Sequence, residues 1–335
     1  MTHQSPIYPL HKIPGAPGPE TSGQVRFTFL LLDGFTHLAL AAAIEPMRIA
    51  NHLLGCKAYG WTLVSASGAP VTCSNEMTLL VDGPLQSLGR NDTLIVVGGP
   101  ATYGQADTRL LAQLRHEAAH GVRIGALCMG IYALARAGFL DGQDCPIHWD
   151  VADGFAEEFP NVNISRNAFV LGRHPSAPGG AVAGDMMIHL ITETHGTELG
   201  ARIADQMVCN GVRSPGSQQT VSLQSRYGMR NPRLVKVLRT MEANLETPLS
   251  SEKIAAIAAM SVRQTERLFA HHLKTTPMGF YAQMRLEKAR RLLEQTELSV
   301  TEVAVACGYK STSHFGKAFR TAYGVAPKKM RVVHA

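Results

Sequence analysis

A helix-turn-helix pattern that occurs twice in the last hundred residues constrains the fold more than any other feature of this sequence. The first copy is LSSEKIAAIAAMSVRQTERLFAHHL, residues 249–273, and the second is LSVTEVAVACGYKSTSHFGKAFRTAYG, residues 298–324. In each copy a serine that can cap a helix precedes a short apolar stripe, a turn and a second helix. The stretch between them, PMGFYAQMRLEKARRLLEQT, predicts one long helix. The pattern therefore predicts two helix-turn-helix units on a rigid spacer.

Two such units on one spacer can place two recognition helices in successive major grooves of DNA, roughly 34 Å apart. Helical spacing puts Thr265, Leu268 and Phe269 inward in the first recognition helix. In the second, Phe315 and Phe319 point inward. The residues on the outer faces are the candidate DNA contacts, each with a base-edge contact, a phosphate contact or simple exposure as its alternatives. They are Arg263, Glu266, Arg267, Thr312, Ser313, His314 and Lys317.

The formal charge of +6 is an average over two unlike parts of the chain. Residues 1–220 carry 13 Lys and Arg against 18 Asp and Glu, whereas residues 221–335 carry 19 against 8. The last part therefore has a net charge of +11, as expected if it meets a polyanion, with a solvated basic face as the alternative. Within it, Arg285, Arg290 and Arg291 are expected to contact phosphates or to form salt bridges along the spacer helix.

From Val25 onward, short β-rich runs alternate with helical stretches. The strand candidates are VRFTFLLL, WTLVSAS, DTLIVVGGP and GVRIGALC. Helical patterns span about 36–53, 107–120, 181–194 and 197–209, and another begins at Met129. The alternation predicts an α/β domain with a flavodoxin-like, mainly parallel sheet and helices on both faces. Sites in such folds lie at the carboxyl ends of the strands, where Asp33, Gly98, Gly99 and Cys128 all fall.

Cys128 lies directly between a strand and a helix, which is where several enzyme folds hold a nucleophile. A free thiol is mostly protonated at neutral pH unless a neighbouring acid or histidine activates it. Three uses are open for this residue: a catalytic nucleophile, a redox-sensitive thiol, or an inert wall of a ligand pocket. We expect the third.

Three stretches of the basic part stand in a typical order: an opening PLS…IA, the spacer RLEKARRLL, and EVAVACGYKSTSHFGKAFRTAYGVAPKKMR. Through them residues 231–331 resemble the DNA-binding domain of AraC/XylS-type transcription regulators. The resemblance implies sequence-specific binding near promoters, usually as an activator and usually as a dimer. Ala259 is a departure, because many members of that family carry glycine or another small residue there.

The first part contains LLLDGFTHLALAAAIEPMRIAN, LIVVGGP, GALCMGIYALARAGFLDG, IHWD and GGAVAGDMMIHLI. Through these motifs, residues 25–207 resemble the class I glutamine amidotransferase-like superfamily, in the branch of isocyanide hydratases and intracellular cysteine proteases. Where the hydratase-like enzymes carry an aspartate this chain has Ala39, and where the proteases carry histidine it has Met129. Glu45 and His148 remain as partners for a catalytic thiol. These departures favour sensing over catalysis.

The resemblance implies that this amidotransferase-like part binds a small nitrogenous metabolite, and the chemistry of several residues suits such a ligand. Backbone N–H groups would hold a carboxylate, aromatic rings would face a cationic nitrogen, and acidic side chains would pair with it. The expected ligand-binding residues are Phe35, Glu45, Gly98, Gly99, Cys128, Met129, His148, Trp149 and Asp185. The alternatives are structural: core packing for Trp149, a hydrogen-bonded histidine at position 148, a helix cap for Asp185, and turn formation by Gly179 and Gly180.

The predicted domain order is a disordered tail over residues 1–23, a ligand-sensing domain over 24–210, a linker over 211–230 and a DNA-binding domain over 231–335. The six cysteines show neither a disulfide framework nor a zinc motif, so no metal or other cofactor is expected. No apolar run reaches the roughly 18 residues that span a bilayer, and the Pro- and Gly-rich start does not resemble a signal peptide.

The sequence therefore predicts a cytoplasmic, homodimeric transcription regulator that is not an enzyme. Its expected partners are double-stranded promoter DNA, RNA polymerase and a small nitrogenous effector, with no membrane partner. The resemblances imply that it activates a catabolic operon for an amino acid or quaternary amine, and we expect it to act by a shift between arrangements of the DNA-binding domains. The alternative is a cysteine-dependent hydrolase or hydratase, or a thiol redox sensor, fused to a DNA-binding domain.

Overall fold

The computed structural model describes residues 24–102, 104–209, 211–219 and 231–330, and these form two compact units. An α/β unit contains the residues up to 148 together with 161–219, and a helical unit contains 149–160 together with the residues from 231 onward. The predicted tail and residues 220–230 of the predicted linker lie outside the described residues. The predicted sensing domain included 149–160, which the structure groups with the helical unit.

A six-stranded parallel sheet forms the centre of the α/β unit, with the strand order β10-β7-β6-β1-β2-β5. Its strands are β1 (Val25–Leu31), β2 (Tyr59–Ser65), β5 (Gly83–Pro84), β6 (Thr93–Val97), β7 (Arg123–Leu127) and β10 (Ser176–Ala177). The order from β2 to β10 is the flavodoxin-like one, so the predicted fold class is confirmed. Two small pairs lie outside this sheet: β3 (Val71–Thr72) with β4 (Thr78–Leu79), and β8 (Asp144–Cys145) with β9 (Asn163–Ile164).

The central strands are apolar along almost their whole length because both faces of the sheet are covered. The side chains of β1 alternate between the two faces of the sheet. One face carries Phe27, Phe29 and Leu31, which belong to a core that helices also line. Those helices are α1 (His37–Leu54), α5 (Val182–His195) and α6 (Thr197–Gln206). The remaining helices of the unit are α2 (Thr108–Ala119) and α3 (Ile131–Arg136).

The helical unit contains two apolar cores that share one long helix. Its helices are α4 (Ala152–Glu158), α7 (Pro232–Glu242), α8 (Ser251–Ile257), α9 (Val262–Leu273), α10 (Pro277–Gln295), α11 (Val300–Ala306), α12 (Thr312–Tyr323) and α13 (Pro327–Met330). Phe280 and Tyr281 of α10 pack in a core with Phe269 of α9, whereas Leu286 and Leu293 pack in a second core with residues of α11 and α12. Helix α10 is therefore the spacer that the sequence predicts.

Serine side chains begin the helices of both helix-turn-helix units. Ser250, and not Ser251, caps α8, and Ser299 caps α11. Ser261 and Ser311 cap the two recognition helices, α9 and α12. Each hydroxyl accepts a hydrogen bond from a backbone N–H that the first helical turn leaves unpaired, so these caps fix where each helix starts.

The turns of the two helix-turn-helix units differ at one equivalent position. Ala259 and Gly308 both have left-handed backbones, with φ of 51° and 71°. A Cβ at Gly308 would lie 2.7 Å from the carbonyl oxygens of Leu245 and Glu246, so glycine is required there. Ala259 keeps its methyl group in a conformation that costs about 1–2 kcal/mol for an L residue. This conformation accounts for the small residues that the resembling family carries at position 259.

No helix among the described residues is both long enough and apolar enough to cross a membrane.

Candidate functional site

The outer faces of the two recognition helices present exposed polar side chains above a buried face. In α9, Thr265 and Phe269 are buried, whereas the predicted DNA contacts Arg263, Glu266 and Arg267 are exposed. In α12, Phe315 and Phe319 are buried. The exposed set there is Thr312, Ser313, His314 and Lys317. Every candidate thus lies on an accessible face, and its contact with DNA stays a prediction.

Arg285 joins the spacer helix to the second helix-turn-helix unit. Its Nε donates to the carbonyl oxygen of Cys307 at 2.6 Å, and its Nη2 donates to that of Gly308 at 2.7 Å. The guanidinium also lies 4.1 Å from the ring centroid of Tyr309. These bonds pair carbonyl groups that the end of α11 leaves free. Arg285 is therefore a structural clamp, a role that its spacing in the sequence did not indicate, and its contact with phosphate stays a prediction.

The other two spacer arginines have acidic partners. Arg290 Nε lies 4.0 Å from Glu294 Oε1, one turn further along α10, as the salt-bridge alternative predicted. Arg291 Nη2 lies 3.2 Å from Asp153 Oδ2 of α4. Sequence reasoning missed this second pair because the two residues are far apart in the chain.

In the α/β unit, Cys128 lies on the sharp strand-to-helix turn that the sequence predicts. Its backbone is left-handed, with φ of 54°, and the short 3-10 helix Cys128–Gly130 follows β7. Two glycines allow the chain to turn so tightly. A Cβ at Gly98 would lie 2.3 Å from the backbone nitrogen of Gly130, and one at Gly130 would lie 2.2 Å from the carbonyl oxygen of Val96. The helix expected from Met129 therefore begins as 3-10 turns and becomes α-helical at Ile131.

Two residues that sequence reasoning did not connect with the thiol lie against Cys128. Thr36 Oγ1 is 3.4 Å from Cys128 Sγ, within hydrogen-bond distance. Gly179, with φ of 107°, approaches so closely that a Cβ there would lie 2.9 Å from Cys128 Cβ. Thr36 follows β1 at the sheet edge where β7 also ends, so the topology could have indicated this contact.

The surroundings of Cys128 keep its thiol protonated. Burial raises the pKa of Cys128, and hydrogen bonds with Thr36 and the backbone of Met129 lower it by less. Ala39, at the position where the resembling hydratases carry an acid, is fully buried on α1. The turn thus has the shape of a nucleophile site without the electrostatics that would form a thiolate.

The two glycines that were expected to hold a carboxylate use their N–H groups inside the protein. Gly98 N–H donates to the carbonyl oxygen of Leu127 at 3.1 Å, and Gly99 N–H donates to Thr102 Oγ1 at 3.1 Å. A ligand could not take both bonds without disrupting the turn. The geometry corrects the expectation of an anion site at these glycines.

Other predicted ligand residues also have structural partners. Phe35 is fully buried in the core, so it offers no open aromatic face. Glu45 Oε2 pairs with Arg48 Nη2 at 2.7 Å on the same helix. The buried Asp185 carboxylate accepts from the backbone N–H of Arg213 at 3.3 Å and from its Nη1 at 3.1 Å. Asp185 therefore holds the 211–219 segment, a role that differs from both the ligand contact and the helix cap considered for it.

The predicted neighbours His148 and Trp149 fall on opposite sides of a boundary between the units. His148 is the last residue before the chain leaves the α/β unit, and Trp149, which is 40% exposed, belongs to the helical unit.

All six cysteines are free thiols. Within the described ranges, no group of three or more His, Cys, Asp and Glu residues is arranged to hold a metal ion.

We expect Cys128 to react slowly with iodoacetamide at pH 7, because its raised pKa leaves less thiolate than an ordinary thiol has. Each pKa unit of elevation lowers the thiolate fraction about tenfold. The alkylation rate of Cys128 should therefore continue to rise at pH values where an ordinary thiol is already fully ionised. The exposed Cys209 is an internal control, and peptide mass spectrometry over time measures both residues. Equal alkylation rates at Cys128 and Cys209 would show that the Cys128 thiol is activated.

Comparison with known proteins gives matches to both units. The DJ-1/PfpI family matches residues 25–168, and the helix-turn-helix domain family matches residues 254–332. The HTH-type transcriptional regulator GbdR of Pseudomonas aeruginosa is 39% identical over 319 residues, which are 95% of this chain and 87% of GbdR. The transcriptional activator NphR of Rhodococcus is 41% identical over 103 residues, 30% of each chain.

A crystal structure from Vibrio parahaemolyticus has a TM-score of 0.50 at 19% identity and covers 56% of this chain and 100% of its own. At that identity the likeness shows the fold alone.

A DJ-1/PfpI unit combined with tandem helix-turn-helix units defines a class of protein, the two-domain transcription regulator. The match to GbdR extends over nearly the whole chain. This chain belongs to the AraC-type family of HTH transcriptional regulators that carry a DJ-1/PfpI, amidotransferase-like domain. Both resemblances that the sequence motifs indicated are thereby confirmed, as is the function of transcription regulation.

Proposed function

We propose that this regulator senses a small nitrogenous metabolite, an amino acid or a quaternary amine, and activates a catabolic operon. In this proposal it acts in the cytoplasm as a homodimer that binds promoter DNA and engages RNA polymerase. The observation that carries the DNA-binding role is the pair of exposed recognition faces in a part of the chain with net charge +11. The name of NphR, whose similarity is confined to 103 residues, supports activation.

In the proposed complex, α9 and α12 each enter a major groove. Arg263 and Arg267 can donate to guanine edges from α9, and His314 can reach base edges from α12. Lys317, as a flexible point charge, suits a phosphate. The short hydroxyl side chains of Thr312 and Ser313 lie in the first turn of α12, next to its N-terminus, where backbone N–H groups also favour phosphate.

The α/β unit is the proposed effector domain, and its chemistry is recognition. In this proposal Cys128 and Met129 would line the effector site, and the raised pKa of the Cys128 thiol argues against catalysis. One observation favours the enzyme or redox alternative: the left-handed turn at Cys128 has the shape of a nucleophile site. Cys128→Ala separates the possibilities, because a sensing role predicts retained metabolite-dependent activation of a promoter reporter. Loss of activation, or of a peroxide response, would support a reactive thiol.

In vitro selection from a random duplex pool tests DNA recognition without knowledge of the operator. The full chain should enrich a sequence with two half-motifs about 10 base pairs apart, one for each recognition helix. Binding to the enriched duplex should weaken steeply with salt, since phosphate contacts release counterions. Arg267→Ala and Lys317→Ala should each weaken binding by about 1–3 kcal/mol, with Lys317→Ala also reducing the salt slope.

Lys57→Ala is the matched control, because it removes one exposed cation from the α/β unit. It should leave the affinity for the enriched duplex unchanged. A pool that shows no enrichment at any salt concentration would overturn sequence-specific recognition by this chain.

A further inference from the structure

The segment 149–160 belongs to the helical unit although both its ends continue into the α/β unit. The chain leaves the α/β unit after His148 and returns to it at Asn161. Strands β8 and β9 flank this excursion and pair in parallel, with Cys145 opposite Ile164. The backbone N–H of Gly142 also donates to the carbonyl oxygen of Asn161 at 2.8 Å. The two ends of the segment are therefore held together at its base.

An ion pair and the packing of α4 against the spacer helix α10 hold the segment within the helical unit. Asp153 of α4 pairs with Arg291 of the spacer helix α10 at 3.2 Å, and the Arg291 side chain is only 19% exposed. Phe155 is fully buried and lies 4.8 Å from Phe159, ring centroid to centroid. Removing one partner of a largely buried ion pair leaves the other charge without compensation, so this pair favours the docked arrangement.

The charge of the segment is opposite to that of the helices it packs with. Residues 149–160 contain four acidic residues and no Lys or Arg, whereas residues 221–335 have a net charge of +11. The segment thus offers this basic unit the same kind of charge that a DNA backbone would offer.

The segment also shares a groove with the second recognition helix. A groove of 880 Å³ in the helical unit is lined by Trp149 and Asp150 of the segment and by His314 and Lys317 of α12. Arg290 of the spacer helix lines it as well. His314 and Lys317 are two of the residues proposed to contact DNA. A carboxylate at Asp150 therefore lies in the space that a phosphate would approach.

We propose that the segment 149–160 is an intramolecular competitor of DNA for the second helix-turn-helix unit. Docked through Asp153 and Arg291, it lowers the affinity for DNA, and its release raises that affinity. Both ends of the segment are continuous with the α/β unit. A ligand that binds the α/β unit and stabilises the released position of the segment would therefore shift the equilibrium toward release and increase DNA binding. The inference rests on the proposed DNA-binding role of α12.

The test uses the full-length chain with Trp61→Phe, which leaves Trp149 as the sole tryptophan. Asp153→Asn removes the charge that pairs with Arg291 and keeps the side-chain shape. This substitution should increase the acrylamide quenching of Trp149 fluorescence. It should also tighten binding to a labelled mixed-sequence duplex, and to the selected duplex, by roughly fivefold at low salt. The Trp61→Phe chain with Asp153 intact should show the same rise in quenching when the duplex is added.

Glu157→Gln is the matched control, because it removes an equal charge from an exposed position on the same helix. Glu157→Gln should change the quenching of Trp149 and the affinity for the duplex by less than Asp153→Asn does. Should Asp153→Asn fail to fold by circular dichroism, Asp150→Asn, which removes the acid from the groove, should tighten duplex binding in its place.

The outcomes separate the two proposals. Unchanged quenching in Asp153→Asn, or duplex binding that leaves Trp149 unchanged, would overturn the competition. Failure of every duplex to bind wild type and variants would overturn the proposed function instead, and increased quenching in Asp153→Asn would then still support the docked segment.

Discussion

Replacing Arg285 with alanine should lower the free energy of unfolding of the helical unit by at least about 3 kcal/mol, since hydrogen bonds from charged groups contribute about 1.5–3 kcal/mol each and the cation–π contact adds to them. The two bonds from Arg285 to Cys307 and Gly308 connect the spacer to the turn of the second helix-turn-helix unit. Without them, α11 and α12 lose their fixed position on α10. DNA affinity should therefore fall, because the recognition helix α12 is no longer held in position.

Urea unfolding is followed in the Trp61→Phe background by Trp149 fluorescence, which reports on the helical unit, and by circular dichroism, which separates loss of helix from release of the segment 149–160. Arg290→Ala is the control, because its partner Glu294 lies 4.0 Å away and both side chains are substantially exposed. Such pairs contribute about 0–1 kcal/mol, so the Arg290 variant should unfold nearly as wild type does. If Arg285→Ala and Arg290→Ala unfolded at the same urea concentration, the clamp would have no energetic role.

The fold could be predicted from the sequence because its signals are local and repeated. Apolar runs of strand length, capping serines and the doubled helix-turn-helix pattern each act over a few residues. The two turns show the limit of this reasoning. Gly308 indicates a left-handed turn by its residue type, whereas Ala259 adopts the same conformation without any local signal.

The candidate sites were harder to predict because they depend on contacts between distant residues. The face of each recognition helix follows from helical spacing, and all the outward candidates are exposed. The partners of Arg285, Arg291 and Asp185 lie 22 to 138 positions away in sequence, and no periodicity indicates them. Motif positions also did not reveal that the N–H groups of Gly98 and Gly99 would be used internally.

Gly98→Ala should have the largest effect in the α/β unit. The added Cβ would lie 2.3 Å from the backbone nitrogen of Gly130 and 2.6 Å from the carbonyl carbon of Met129, and neither backbone atom can rotate away. We expect unfolding to become easier by at least about 3 kcal/mol, at the upper end of overpacking effects. The displaced turn should also expose the Cys128 thiol and accelerate its alkylation.

Trp61 fluorescence in a Trp149→Phe background follows this unit, with Gly172→Ala as the control. At Gly172 an added Cβ would meet only Val170 Cγ1, at 3.8 Å, an ordinary van der Waals distance. That variant should keep the wild-type unfolding midpoint and the slow alkylation of Cys128. Wild-type stability in Gly98→Ala would mean that β6 and the Cys128 turn do not approach each other so closely. The left-handed conformation at Cys128 would then lack the backbone support that the close approach of Gly98 and Gly130 gives it.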